Sequence, residues 1–397
     1  MRQYFSELRN FFRKGDMWLL GFCLVASGFG CLMITSATQY TGNLRHLYIQ
    51  LLAIGIGVLV YILISSFDVA AICEHPVLLT LFSWGMILLL KTPYGVEGGT
   101  GNRSWLDFPF LPVMIQPAEF VKIAFVLLLA SIMGKYQNKV SGFRSMIQVI
   151  FHTGVLFLLN MWASDDLGVS LFFAVIFLGM TFAGGVHAGW FGFMGAAALV
   201  AVPVLWQKMD AYQRNRILII FDETIDPLGL KERYHTLHSL RSLTGGGLIG
   251  QGLFRGHRTQ AGILYAQHTD FIFSAIGEET GCIGCLLVLA LLSAIIIRCI
   301  IVGNKSPDYM RKVICYGVAS SLIFQTVLNV GMCMGVLPIV GLTLPFISYG
   351  GSSIVSLFAM VGLVSGIKAR PQRPVHERYV YAPIGLDIKE NRLKKRA

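Results

Sequence analysis

The sequence predicts an all-α integral membrane protein with about ten transmembrane helices. Of its 397 residues, 55% are hydrophobic and only 13% are charged, which leaves too little polar surface to cover a water-soluble chain of this length. Apolar segments of roughly 20 residues, the length that crosses a bilayer, also recur along the chain. The predicted spans are 18–37, 47–66, 76–90, 117–134, 146–163, 167–183, 188–206, 271–297, 313–336 and 346–367.

The net charge of +11 is explained by the side of the membrane on which the basic residues fall. Lys and Arg crowd the N-terminus, the connections after the fourth and eighth spans, and the tail. With an even number of spans, this bias puts both termini in the cytoplasm. Attraction to anionic lipid accounts for the remaining charge, and no nucleic-acid partner is expected.

Three regions follow from this topology. Residues 1–16 are predicted to form a cytoplasmic interfacial N-terminus, because apolar and basic side chains alternate there with helical spacing. Residues 17–368 form the polytopic membrane domain, and residues 369–397 form a basic cytoplasmic tail. A large extracytoplasmic loop, 207–269, separates the seventh and eighth spans and is long enough to be functional or partly helical.

The segment Thr92–Ile115, which the span count predicts to lie outside the cytoplasm, carries a Gly-rich turn followed by Arg103 and Trp105. Arg binds phosphate or carboxylate with two donors, and Trp favours the membrane interface. This segment therefore either binds a substrate phosphate or anchors the loop against lipid.

The large loop contains Arg214 and Arg216 and a glycine run, Gly245–Gly252. Successive backbone N–H groups of such a run could bind an anion. The run lacks the Gly-Lys-Ser/Thr ending of a nucleotide-binding P-loop, so nucleotide binding is not predicted.

Asp270 lies at the mouth of the eighth span, and Glu278 follows about two turns later. Asp270 could cap the helix, as Asp often does, or act as a catalytic base at the water boundary. The carboxylate of Glu278, at membrane depth, should face a cavity or a partner.

Other polar groups also interrupt apolar spans. Glu119 and Lys122 share one helix face and predict either a structural ion pair or a functional polar site, and Asp166 opens the sixth span. The segment Pro345–Ser353, with Ser348 and Ser352, predicts irregular backbone that lines a cavity or packs helices closely through small residues.

Several of these motifs, in this order, resemble the shape, elongation, division and sporulation family of RodA and FtsW. The matching segments are Asn102–Trp105, Gln116–Glu119 with Lys122, Asp166–Gly168, Gly245–Gly252, His268–Phe273 with Gly277–Glu279, and Pro345–Ser353. The sequence departs from the family pattern at Ala118, Asp165 and His238, where Ser, Pro and Gln are usual.

The resemblance implies a peptidoglycan glycosyltransferase of the bacterial cytoplasmic membrane. Such an enzyme polymerises glycan strands from lipid II, forms β-1,4 bonds with inversion and releases undecaprenyl pyrophosphate. Asp270 matches the essential aspartate of the family and is the expected base. Arg103, Arg214 and Arg216 are candidates for the pyrophosphate, and Ser348 and Ser352 for other substrate contacts.

A class B penicillin-binding protein and other elongation or division proteins are the implied partners. No cofactor is certain, and a divalent cation, Mg²⁺ or Mn²⁺, is compatible with the pyrophosphate chemistry. The short termini favour the RodA branch. Two alternatives remain: a flippase or transporter of the lipid precursor, with Glu119, Lys122 and Asp166 lining a polar pathway, and a non-enzymatic scaffold of the cell-wall machinery.

Overall fold

Helices make up nearly all of the regular structure in the computed structural model. It describes residues 14–97, 102–109, 114–209, 211–227, 229–230, 233–264 and 266–370. Most of the predicted interfacial N-terminus, most of the basic tail and the turn at 98–101 lie outside these residues. The helices are α1 Met17–Thr38, α2 Arg45–Ser66, α3 Val69–Cys73, α4 Pro76–Leu88, α5 Pro117–Lys135, α6 Phe143–Ser164, α7 Leu167–Ala183, α8 Ala188–Lys208, α9 Ala211–Leu218, α10 Tyr234–Gly246, α11 His257–Gln260, α12 Ile272–Lys305, α13 Tyr309–Cys333 and α14 Gly351–Ala369.

Short elements complete the described chain. The 3₁₀ turns are Gln39–Thr41, Leu89–Lys91, Gln137–Lys139 and Glu223–Ile225. Strands β1, Gly95–Val96, and β2, Trp105–Leu106, pair antiparallel and form a short hairpin. This hairpin lies in the segment 92–115, which is called here the outer segment after its predicted location.

Local sequence explains where several helices begin. Asp16 and Asp308 cap α1 and α13 by accepting hydrogen bonds from Leu19 N and Met310 N, which satisfies donors that the first turn leaves free. Pro76 and Pro117 occupy the first turns of α4 and α5, where a missing N–H costs nothing.

The predicted class, a helical membrane protein, is confirmed, and the short β1–β2 hairpin is a minor addition to it. Seven helices of the described part are long and apolar enough to cross a bilayer: α1, α2, α5, α6, α12, α13 and α14. Three shorter apolar helices, α4 with its following turn, α7 and α8 up to Pro203, coincide with the remaining predicted spans.

The bundle buries α5, α13 and α14 most deeply among these helices. In contrast, α2 exposes Leu52, Leu59 and Leu63, each more than half accessible. A surface of this kind suits hydrocarbon and not water.

The eighth predicted span is a helix with a break. Within α12, Gly281 has φ 69° and ψ −167°, so a short helical segment, 272–280, precedes the long one. The part after Gly281 extends about 36 Å at 1.5 Å per residue, enough to cross a membrane. The residues before the break, including Glu278, pack against the large loop.

Candidate active site

Asp270 lies two residues before the first residue of α12 and is not the N-cap residue of this helix. Phe271 occupies the N-cap position, with no side-chain hydrogen bond to the first turn. The capping interpretation of Asp270 is therefore wrong. Its side chain is half-buried, which leaves it accessible from outside the helix bundle.

Three donors fix the backbone of residues 268–270, one on each successive carbonyl. Tyr349 N donates to the first at 2.9 Å, Ser348 Oγ to the second at 2.6 Å, and Asn329 Nδ2 to the third, that of Asp270, at 2.8 Å. Because the donors come from α13 and from the connection before α14, two separate parts of the bundle determine where Asp270 lies.

The connection 341–350, called here the α14 entry loop, is itself anchored by buried amides. Gln50 of α2 donates to Ser348 O at 3.1 Å and accepts from Gly350 N at 3.2 Å. Asn329 also donates to Leu342 O at 2.7 Å. These contacts give α2, α13 and the entry loop one fixed arrangement around Asp270.

Ser348 and Ser352, the two serines predicted to contact substrate, differ in their surroundings. Ser348 is 2% exposed, and its hydroxyl both donates to Thr269 O and accepts from Leu344 N at 2.8 Å. Its single proton is committed to Thr269 O, and through these two contacts Ser348 joins the entry loop to the 268–270 segment. Ser352 is partly exposed and contacts Met114 O and Gln116 N at 3.3 and 3.4 Å, joining the entry of α14 to the outer segment.

Glycine leaves space beside the carboxylate of Asp270. A Cβ atom added at Gly341 would lie 3.6 Å from Asp270 Oδ2, and Gly341 has φ 69°, a conformation that favours glycine. The loop backbone can thus pass close to the carboxylate without a side chain between them.

Three rings pack next to this segment. The His46 centroid lies 4.8 Å from that of His268 and 5.0 Å from that of Tyr349. Burial, with a smaller contribution from His46, lowers the pKa of His268 to about 4, so its imidazole is neutral near pH 7. Burial raises the pKa of Tyr349, and the positive charge of Arg45 partly opposes that shift.

The predicted phosphate ligand Arg103 serves the outer hairpin. Its Nε donates to Gly95 O at 2.9 Å and its Nη2 to Thr92 O at 2.8 Å. Two of its five donors are therefore occupied by backbone, a structural role that the motif did not predict. The side chain is half-buried.

Asp166 caps α7, accepting from Val169 N at 3.1 Å and from Ser104 Oγ at 3.2 Å. This contact ties the outer segment to the start of α7. Asp165, where the family pattern has Pro, is exposed with φ 55°. Proline cannot adopt this angle, so the turn before α7 requires a residue other than Pro.

The glycine run does not form the predicted anion site. The N–H groups of Gly250, Gln251 and Gly252 donate to Gly246 O, Glu278 O and Glu279 O at 2.8–2.9 Å. In return, residues 282 and 283 donate to carbonyls of the run. The backbone of the run is therefore hydrogen-bonded to the backbone around the break in α12, and these donors are not free for an anion.

Glu278 and Glu279 are fully buried and hold the following part of the large loop. Glu278 accepts from Arg258 N and Thr259 N at 2.7 and 3.0 Å. Glu279 accepts from Ser36 Oγ at 2.6 Å. The partner expected for a carboxylate at this position is thus loop backbone and α1.

The predicted pairing of Glu119 with Lys122 is present in the bundle. Their side chains meet at 2.8 Å while 7% and 2% exposed. Ser356 Oγ donates to the other oxygen of Glu119 at 2.6 Å, and Lys122 Nζ lies 4.0 Å from the ring centroid of Phe172. These charges bind each other and their neighbours and do not line an open polar pathway.

Of the two loop arginines, Arg214 donates to Gln207 O at 2.8 Å, and the side chain of Arg216 lies outside the described part. Within the described ranges, no group of three or more His, Cys, Asp or Glu side chains is arranged to hold a metal ion. The sequence motifs did not indicate that Gln50 and Asn329 contribute to the site. An amide side chain inside an apolar span is a signal that could have identified both residues.

Fold and site together define a polytopic helical membrane protein with an accessible aspartate fixed at one end of its bundle. The family model described as cell cycle protein, covering FtsW, RodA and SpoVE, matches residues 16–373. The chain belongs to this family.

Curated relatives include the peptidoglycan glycosyltransferase MrdB of Escherichia coli K12, 33% identical over 67% of this chain and 71% of that protein. Stage V sporulation protein E of Bacillus subtilis is 29% identical over 89% and 96% of the two chains.

Solved structures agree with the fold. A chain from a peptidoglycan synthase complex that coordinates polymerization and crosslinking superposes with a TM-score of 0.77 at 27% identity, over 90% of this chain and 99% of that chain. The rod shape determining protein RodA of Thermus thermophilus gives 0.65 at 24% identity, over 90% and 98%, a likeness that shows the fold.

Proposed function

We propose that this protein is a peptidoglycan glycosyltransferase that polymerises glycan strands from lipid II, with Asp270 as the base. The observation that carries the proposal is the held backbone of residues 268–270. An acid that is not at the N-cap of α12 and does not lie deep in the core is nevertheless positioned through contacts to its own carbonyl and to the two carbonyls before it. General base catalysis requires such positioning within hydrogen-bond reach of the reacting hydroxyl.

In the proposed step, the Asp270 carboxylate takes the proton of the 4-hydroxyl of one lipid-linked sugar. The hydroxyl oxygen forms a bond to the anomeric carbon of the growing chain. The bond from that carbon to pyrophosphate breaks, and undecaprenyl pyrophosphate leaves with the electron pair. Direct displacement inverts the anomeric carbon and gives a β-1,4 linkage.

Positive charge near the leaving pyrophosphate would stabilise the transition state. Arg45 joins the candidates Arg103, Arg214 and Arg216, because it precedes His46, whose ring packs against His268 and Tyr349. A divalent cation, Mg²⁺ or Mn²⁺, would supply the same charge, but no step here depends on one.

The proposed location is the bacterial cytoplasmic membrane, with both termini in the cytoplasm and residues 207–269 outside. Support comes from the distribution of basic residues. A class B penicillin-binding protein is the proposed partner, supported by the structural likeness to a chain of a synthase complex, and other elongation or division proteins would associate with it.

The test is polymerisation of fluorescent lipid II by purified Asp270→Asn protein in vesicles. Asn keeps the shape of the side chain and removes the proton acceptor, so we expect a rate loss on the order of a hundredfold or more with normal accumulation in the membrane. The matched control is Asp165→Asn. It removes an exposed acid that precedes α7, and Asn tolerates the left-handed backbone there.

Polymer made by folded Asp270→Asn protein at a near-normal rate would refute the assignment. Transfer of lipid II across the vesicle without polymer, by the parent protein, would favour the flippase alternative. A parent protein that does neither would leave the scaffold as the better description.

A further inference from the structure

A basic pocket lies at the end of the bundle opposite Asp270. It has a volume of about 240 Å³ between the C-terminal ends of α12 and α14. Its polar wall carries four cations, Arg298, Lys305, Lys368 and Arg370, and its apolar wall includes Ile301 and Ile367. The pocket is remote from the catalytic segment, since the long part of α12 separates them.

A single buried carboxylate, that of Asp16, neutralises part of this charge. It receives Arg298 Nε at 2.7 Å and Lys368 Nζ at 3.2 Å and is inaccessible to solvent. Arg370 donates to the backbone carbonyl of Ser66. Among the described residues, neither Lys305 nor Arg370 forms an ion pair, so the pocket keeps an excess of positive charge.

The nearby acids do not change this balance. Asp68 and Asp308 flank the same end of the bundle, and both face Arg311, at 3.2 and 3.7 Å. Their charge is directed to a cation outside the pocket lining. The ligand that complements the pocket is therefore an anion.

The combination of charged rim and apolar wall points to a lipid. We propose that this pocket binds the phosphate headgroup of an anionic phospholipid. Arg and Lys are the usual donors to phosphate, and basic pockets between transmembrane helix ends bind such headgroups. The acyl chains would follow the apolar side of the pocket into the bilayer.

The position of the pocket means that a bound lipid would affect the stability of the bundle. It would join the ends of α12 and α14, whose opposite ends follow Asp270 and the α14 entry loop. The Asp16 amide already donates to Ser365 Oγ of α14 at 3.1 Å, and Tyr61 of α2 donates to Asp16 O at 2.9 Å. A bound headgroup would add to this clamp and raise the stability of the folded bundle.

The test is thermal unfolding of the full-length protein in nanodiscs of phosphatidylcholine with an increasing fraction of phosphatidylglycerol. We expect the midpoint to rise and then saturate. Lys305→Gln removes one positive charge and should need roughly fivefold more phosphatidylglycerol for half of the rise. Lys305→Glu changes the charge by two and should need roughly thirtyfold more. Lys305 is exposed, so both variants should fold.

The matched control is Lys139→Glu, the same charge change on an exposed basic residue in the connection between α5 and α6, outside the pocket. Its lipid requirement should stay within about twofold of the parent, because screening limits distant charges. An equal effect of both Glu variants would mean diffuse surface attraction and overturn the proposal.

Inorganic phosphate, added to nanodiscs of pure phosphatidylcholine, separates the two sources of the ligand. No rise with phosphate supports the lipid. A rise with phosphate equal to that with phosphatidylglycerol would identify a site for a soluble anion and overturn the lipid assignment. None of these outcomes depends on glycan polymerisation, so they leave the proposed function to its own test.

Discussion

Removing one member of the Glu119 and Lys122 pair should destabilise the protein far more than removing both. The perturbations are Glu119→Leu, Lys122→Met and the double variant. Either single change leaves one charge in a site that is almost inaccessible, with the former partner 2.8 Å away replaced by an apolar group. Breaking a buried pair in this way costs on the order of 3–5 kcal/mol.

The surrounding contacts show why the double variant should recover. Without Glu119, the hydroxyl of Ser356 keeps a second acceptor, Ser353 O at 2.9 Å, so no buried donor is left unpaired. Met at position 122 would lie against the ring of Phe172, a favourable sulfur and aromatic contact. We expect the free energy of unfolding of the double variant to lie within about 1 kcal/mol of that of the parent.

The assay is equilibrium unfolding in mixed micelles, read as a double-mutant cycle. The destabilisation of the double variant should be smaller than the sum of the two single destabilisations by at least about 5 kcal/mol, since each single change costs about 3 kcal/mol or more. Lys135→Met, on the same helix but exposed, is the control and should change stability by less than about 0.5 kcal/mol. Additive single effects, or single variants as stable as the parent, would refute a structural pair.

Two further predictions concern the entry loop and the glycine run. Ser348→Ala should lower the free energy of unfolding by about 2 kcal/mol, because Thr269 O and Leu344 N lose their partner, and it should slow polymerisation of lipid II. Ser352→Ala should change neither quantity. Equal effects of the two variants on unfolding and on polymerisation would contradict this prediction. Gly250→Ala should prevent normal accumulation, because its Cβ would lie 2.2 Å from Glu279 O, while Gly245→Ala, 3.4 Å from its nearest neighbour, should accumulate normally on immunoblots of membranes.

The sequence was sufficient wherever the relevant interaction is local. Apolar runs predicted the spans because a bilayer imposes a length. The pairing of Glu119 with Lys122 followed from a spacing of three on a helix. Asp270 could be identified as a candidate from the sequence, because it is a charged residue at the point where the polar loop ends and the apolar span begins.

The sequence was insufficient where partners are distant in the chain. Ser348 and Thr269 are 79 positions apart, and only the fold shows that the serine proton is committed to the loop. The glycine run predicted an anion site because exposed N–H groups would form one, yet its docking onto the break at Gly281 consumes them. Backbone pairing between such segments has no local signature.

The short segment of α12, 272–280, is held at both ends, and this explains how the half-buried Asp270 can be both partly accessible and fixed in position. Before the segment, amide and hydroxyl donors fix the carbonyls of residues 268–270. After it, the glycine run pairs with the backbone around Gly281. The printed donors on both connections bond to main-chain carbonyls, so the position of the Asp270 side chain is determined by a fixed backbone, as a catalytic group requires. Within the same segment, Glu278 is committed to structure, because its carboxylate oxygens accept hydrogen bonds from residues 258 and 259 of the large loop.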